Sequence, residues 1–175
     1  MQVDEIPEWN LTAEVDAEIA LLLARCFPTD FGGRSFFYQR HHLRFVTRVE
    51  GVIVGHMALT LRAVQLGDRL VTIAGLAEVA TDPAQRGKGI AAALLRAAIA
   101  EAKASPAEYL LLFGEAKLYA ASGFRNVSNK MAHVAVKGIR TVRLISAGDD
   151  NLMVMPLRNQ LWPDVAPLDL RGPVF

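Results

Sequence analysis

The residues with the clearest chemical potential are Gln85-Arg86-Gly87-Lys88-Gly89-Ile90-Ala91. They follow a run rich in β-branched residues that ends near Thr81, and they lead into an alanine- and leucine-rich stretch, Ile90 to Lys103, that reads as a helix. Glycines at such a junction let backbone N–H groups approach an anion closely, and the positive end of the helix dipole points at the same place. Arg86 and Lys88 add two cations, each able to form charge-assisted hydrogen bonds worth about 1.5–3 kcal/mol when desolvated. The chemistry this pattern suits is the cradling of a phosphate or pyrophosphate. The plain alternative is a glycine-rich helix start with two solvated cations.

Two other phosphate loops share some of these letters. Gly87-Lys88-Gly89-Ile90-Ala91-Ala92 fits a dinucleotide fingerprint, with Glu108 as the acid about 20 positions on. That fingerprint belongs after the first strand of a parallel βαβ unit, however, whereas here several antiparallel-looking strands come first and Glu108 precedes its strand. A nucleoside-triphosphate loop needs a lysine followed by serine or threonine, and none stands in frame.

The elements that must position the loop are readable on both sides of it. Val15, Ile19, Leu22, Leu23 and Cys26 recur at helical spacing from Thr12 to Cys26, and Pro28 closes that segment. Phe31-Gly32-Gly33-Arg34-Ser35 reads as a loop and Phe36 to His42 as a short second helix. Leu43 to Val49, Val52 to Val64 and Leu70 to Thr81 read as three antiparallel strands, separated by Glu50-Gly51 and by Leu66-Gly67-Asp68-Arg69. Asp82-Pro83 breaks the third strand, and Ser105-Pro106 ends the helix that follows. Tyr109 to Phe113 reads as a buried strand, Glu115 to Ala121 as a short helix and Phe124 to Asn129 as another strand. Beyond Met131 the pattern weakens, with Leu152 to Met155 the remaining strand candidate and Trp162 to Phe175 a proline-punctuated tail.

Composition narrows the function classes. A chain of 175 residues, 52% hydrophobic, is expected to form one domain, residues 1 to 175. Nineteen basic against 18 acidic residues provide no net field toward nucleic acid or an anionic membrane, so a small-molecule partner is expected. The acidic start Met1-Gln2-Val3-Asp4-Glu5-Ile6 lacks the pattern of a signal peptide, and no apolar stretch reaches membrane length, which points to the cytoplasm. Cys26 stands alone, excluding an intrachain disulfide, and is expected to pack in the core rather than act as a nucleophile. His41, His42, His56 and His133 show no ligand spacing, so no metal is invoked; His56 is expected to be a hydrogen-bonded sheet residue.

The loop in this setting resembles the pyrophosphate-binding pattern of the GNAT superfamily of N-acetyltransferases, through Arg86, Gly89 and Ala91. Asp82-Pro83 ahead of it and Leu118-Tyr119-Ala120-Ala121-Ser122-Gly123-Phe124 downstream, similar to the family's terminal block, extend the resemblance over Leu43 to Asn129. It implies an α/β (α+β) fold: a mixed, largely antiparallel twisted sheet flanked by helices, with splayed strands at the cofactor site. It also implies acetyl-CoA as the acyl donor and a primary amine of a small molecule as the acceptor. Gly114-Glu115 departs from the family, which often has an asparagine after the strand Tyr109 to Phe113. A non-catalytic module that only binds acyl-CoA is the rival reading, and the assembly state, a homodimer included, is left open.

Direct transfer requires a neutral amine, a polarised thioester carbonyl and a proton for the thiolate. The resemblance places carbonyl-binding backbone N–H groups near Val79 and Ala80, with Arg86, Gly87, Lys88, Gly89, Ile90 and Ala91 on the pyrophosphate. It makes Tyr119 the candidate acid and leaves the base open among Glu78, Asp30, Asp149 and the carboxylate of Phe175. Val54 to Leu59, Leu66-Gly67-Asp68 and the tail from Leu161 are also similar to aminoglycoside N-acetyltransferases and nodulation acyltransferases. That similarity places Asp30, Asp149 and Phe175 at the acceptor.

Overall fold

The computed structural model describes residues 1–114, 119–149 and 151–175. Its contacts gather into two compact units, Met1–Thr60 with Leu76–Glu101, and Leu61–Gly75 with Ala102–Phe175.

The first unit holds β1 (Asp4–Pro7), α1 (Ala13–Cys26), β2 (Leu43–Val49), the start of β3 (Val52–Leu66), the end of β4 (Arg69–Thr81) and most of α2 (Ile90–Ala104). Thr12 caps α1 by accepting from the Val15 N–H at 3.4 Å, and Glu14 and Asp16 in the first turn suit the helix dipole. The helix buries Ile19, Leu22 and Leu23, at i, i+3 and i+4, in one apolar cluster with Val46, Ile53, Phe31 and Ala80. β2 and β3 pair antiparallel through a two-residue turn, in which Glu50 and Gly51 take φ of 50° and 82°. α2 lies so close to β3 that a Cβ on Gly55 would fall 2.5 Å from the Cγ2 of Ile90.

The second unit contains the remaining lengths of β3 and β4, with β5 (Tyr109–Phe113), β6 (Arg125–Asn126), β7 (Met131–Lys137), β8 (Arg140–Ala147), β9 (Leu152–Pro156) and β10 (Leu168–Asp169). Its strand order is β6-β9-β5-β4-β3-β10-β7-β8. The pairings of β9 with β5 and β6, of β7 with β8 and of β10 with β3 are antiparallel, whereas β10 and β7 run parallel. The result is a mixed, largely antiparallel sheet. Trp162 anchors the connection to β10: its indole N–H donates to Asn129 Oδ1 at 2.8 Å, and its ring meets Tyr109 edge-on at 4.9 Å.

The three strands before the cofactor-type loop, the two helices and the strands at Tyr109 and Leu152 lie where the sequence places them. Several expectations need correction. Phe36 to His42 forms bends rather than a helix: the His42 N–H, which a helix would give to Tyr38, donates to the Leu59 carbonyl at 2.8 Å, and the His42 carbonyl accepts from the Glu8 N–H at 3.0 Å. The strand expected from Phe124 to Asn129 shortens to β6. The weakly patterned stretch after Met131 is a long hairpin, β7 and β8, and the tail adds β10. Its exposed strand β8 lacks the alternation that betrays a half-buried one. Of the helix expected at Glu115 to Ala121, residues 115–118 lie outside the described residues, and Ala120–Ser122 forms a 3-10 turn. Cys26 is only half-buried. No helix among the described residues is long and apolar enough to cross a membrane.

Candidate functional site

After β4, Asp82 caps a single 3-10 turn, Pro83–Gln85, by accepting from the Ala84 N–H at 3.0 Å. Arg86 is extended, and Gly87 and Gly89 both take φ of 78°, a left-handed conformation that glycine adopts without strain. α2 begins at Ile90, so the N–H groups of its first turn have no acceptor within the helix. Arg86, Gly87, Lys88 and Gly89 are exposed, and nothing lies within 4 Å of a Cβ built on either glycine. Lys88 Nζ donates to Gln85 Oε1 at 2.7 Å. Neither Arg86 nor Lys88 is salt-bridged to a carboxylate among the described residues. The result is an open face of backbone donors and two available cations, with the geometry and charge to hold a pyrophosphate.

The strand leading into this loop carries Glu78, Val79 and Ala80. Glu78 has φ of 52°, an uncommon value for a non-glycine residue inside a strand. Its carboxylate is buried, with the side chain 7% exposed, and both oxygens are engaged. Oε1 accepts from the Phe37 N–H, and Oε2 faces His41 Nε2 at 2.9 Å and Arg44 Nη1 at 3.4 Å. The residue that the sequence offers as a candidate base thus has its carboxylate beside Arg44 and His41.

Arg44, fully buried, is the hub of this cluster. It forks onto Glu8 through Nε to Oε2 at 2.8 Å and Nη2 to Oε1 at 3.1 Å. Burial pushes the Glu8 carboxyl up, but hydrogen bonds from Arg44 and the charge of Arg44 outweigh it and hold the group below the usual carboxylate range. His56 Nδ1 lies 2.9 Å from the Glu78 carbonyl and Nε2 lies 3.3 Å from Arg44 Nη1. Burial first, and then the Arg44 charge, drive its imidazole down to about 3. It is therefore neutral, with the proton on Nδ1 donated to Glu78 and Nε2 accepting from Arg44. His41 Nδ1 lies 2.9 Å from Thr60 Oγ1, and its Nε2 lies 2.9 Å from Glu78 Oε2 without the angle of a hydrogen bond. Sequence reasoning missed Arg44, His41 and Glu8. The available signal was an arginine inside the apolar strand Leu43 to Val49, which has to find buried acids.

The remaining candidates have separate settings. Tyr119 is buried, its ring edge-on to Phe124 at 5.8 Å and against Gly114, where a Cβ would meet it at 2.9 Å. Burial pushes its phenol up to about 12, so it is protonated at any working pH. Asp30 accepts from the Gly32 N–H at 2.6 Å, and Asp149 from the Asn151 N–H at 2.9 Å, each closing its own turn. The Phe175 ring lies on Gly75, beside Phe113 at 5.4 Å and beneath the Arg62 guanidinium at 5.7 Å. Burial raises the Cys26 thiol, whose Sγ donates to the Thr81 carbonyl at 3.4 Å, so it is not poised as a thiolate. Among the described residues no three His, Cys, Asp or Glu side chains are grouped to hold a metal.

A strand interrupted by a left-handed residue, then an exposed glycine loop with two cations at a helix N-terminus, is an arrangement with the charge and backbone donors to receive an anion. The chain belongs to the acetyltransferase (GNAT) domain family, whose model matches residues 13–127. No curated protein sequence matches it. Among solved structures, a GNAT family N-acetyltransferase from Escherichia coli in complex with CoA has a TM-score of 0.65 at 18% identity, over 97% of this chain and 88% of that one. A GNAT family acetyltransferase from Brucella melitensis in complex with acetyl-CoA has a TM-score of 0.60 at 17% identity, covering 95% and 94%. The ribosomal-protein-S18-alanine N-acetyltransferase of Escherichia coli has a TM-score of 0.60 at 18% identity, covering 93% and 100%. These likenesses establish the fold.

Proposed function

We propose that the chain, acting as one domain, moves an acetyl or longer acyl group from acyl-CoA to a primary amine of a small molecule, by direct transfer in a ternary complex. The observation that carries this reading is the open loop from Arg86 to Ala91, with its two left-handed glycines at the start of α2. It fits a pyrophosphate, and structural neighbours were solved with CoA and acetyl-CoA.

When bound, acyl-CoA supplies the activated thioester. The backbone N–H groups of Val79 and Ala80 would receive the negative charge that develops on its carbonyl oxygen. Arg86, Lys88 and the amides from Gly87 to Ala91 would hold the pyrophosphate. Tyr119 would donate a proton to the departing sulfur. With a phenol near 12 and a thiol near 8.5, that transfer is uphill and has to be coupled to C–S cleavage. The sequence similarity to aminoglycoside acetyltransferases supports a small cationic amine as acceptor, with Asp30, Asp149 and Phe175 as the groups that would face it.

Calorimetry with CoA on the intact protein and on Gly89→Val tests the cofactor site. Valine at φ of 78° is strained and covers the amides, so binding should weaken at least tenfold. A folded variant with unchanged affinity would refute the assignment. Release of free CoA, with mass-spectrometric detection of acylated aminoglycosides, polyamines, amino sugars or peptides, tests transfer. CoA binding without turnover on any of these would make the chain an acyl-CoA-binding module instead.

A further inference from the structure

The segment between α1 and β2, residues 27 to 42, is fastened to β4 at two places, next to a third contact made by the end of α1. There Cys26 Sγ donates to the Thr81 carbonyl, and Arg25 pairs at 3.1 Å with Asp82, the residue after β4. In its middle, Phe31 shares an apolar cluster with Ala80, and Phe27 and Phe37 pack against the same cluster. At its end, the Phe37 N–H and His41 Nε2 both meet the Glu78 carboxylate. The segment therefore runs along Glu78 to Asp82, the stretch that includes the backbone amides of Val79 and Ala80.

From this geometry we infer that Glu78 is a positioning residue: its carboxylate holds the loop 27–42 against the strand where transfer occurs, and it is not the base that deprotonates the amine. A carboxylate that takes a proton from an amine needs an open lone pair facing the acceptor. Glu78 instead gives Oε1 to a backbone N–H and Oε2 to Arg44, and the buried His41 ring closes over Oε2 with Nε2 at 2.9 Å; Arg44 and His41 are themselves 0% and 1% exposed at the side chain. Arg44 ties the same loop a second time through the Ser35 carbonyl and hydroxyl, at 2.7 and 3.4 Å. The left-handed backbone of Glu78, stabilised by the His56 hydrogen bond to its carbonyl, turns the side chain to this loop face and immediately precedes the Val79 amide.

The kinetic part of the test rests on the acyl-transfer reading, and the exchange part does not. Glu78→Ala removes the acceptor of the Phe37 N–H, so amide hydrogen exchange across residues 33–41 should quicken about tenfold or more. Glu78→Gln keeps an oxygen for that N–H and should restore most of the protection. In turnover, Glu78→Ala should raise the acceptor KM about tenfold, with kcat and CoA affinity changed by less than about threefold and Glu78→Gln again intermediate. The pH dependence of kcat/KM should keep its apparent pKa in both variants. Loss of the acidic limb in Glu78→Gln, or loop exchange that stays at the native rate in Glu78→Ala, would overturn the inference. If the native protein turns over no amine, the acyl-transfer reading fails alone, and loop exchange still decides the role of Glu78.

Discussion

The hydrogen of Gly55 stands where Ile90, the first residue of α2, is seated: a Cβ at Gly55 would lie 2.5 Å from Ile90 Cγ2 and 2.9 Å from Leu94 Cδ1. A bare position on β3 thus sets how close the helix start, and the amides of the proposed cradle, come to the sheet. Gly55→Ala should cost about 1–3 kcal/mol through overpacking and weaken CoA binding several-fold by pushing the helix start outward. Denaturant unfolding and calorimetry measure the two effects. A stability loss with native CoA affinity would separate helix seating from the cradle.

Arg44 is a buried charge with every donor engaged, so its removal strands several partners at once. Arg44→Met leaves Glu8 and Glu78 with one fewer cation and the Ser35 carbonyl without its donor, and should destabilise by about 3–5 kcal/mol in urea unfolding. A loss below about 1 kcal/mol would mean that water replaces the guanidinium.

His56 supplies a pH signature of folding. Its pKa is about 3 in the fold, against 6.5 for the free side chain, so between those values the unfolded chain carries a proton that the native protein does not. The favourable contribution is complete above about pH 6.5 and disappears as pH falls toward 3, with a slope near 1.36 kcal/mol per pH unit within that window. Glu8 and Asp16, whose carboxyls are also held low, add their own losses at acid pH. His56→Asn isolates the histidine: the difference between native and variant stability curves should slope by close to one proton between pH 6 and 4. Parallel curves there would show that His56 charges freely in the fold.

Tyr119 tests the proposed acid. Tyr119→Phe keeps the ring against Phe124 and Gly114 and removes the hydroxyl, so turnover should fall by about 10²–10⁴-fold with little change in melting temperature. Because burial holds the phenol near 12, the native rate should show no decline from this group below about pH 11. Full turnover by the variant, with chemistry rate-limiting, would leave Tyr119 as a packing residue.

The local signals in the sequence were sufficient for the parts of the protein governed by short-range rules. The loop from Arg86 to Ala91, the proposed cradle, is contiguous, and glycine conformations and a helix N-terminus depend on neighbours in the chain. The same holds for α1 with its Thr12 cap, and for β2 and β3 around Glu50-Gly51. Tertiary structure decided the rest. The buried cluster joins Glu8, Ser35, His41, Arg44, His56 and Glu78, residues up to 70 positions apart, and nothing near Glu78 in the sequence states that its carboxylate is already taken. Long-range pairing also removes the helix expected at Phe36 to His42, because the His42 N–H that would close its last turn goes to the Leu59 carbonyl instead. β10 likewise forms only because β3 and β7 each offer an edge, which two paired residues in a proline-rich tail could not announce alone. Hydrogen bonds between distant residues leave no period in a sequence, since the partner that completes each one is brought into reach only by folding.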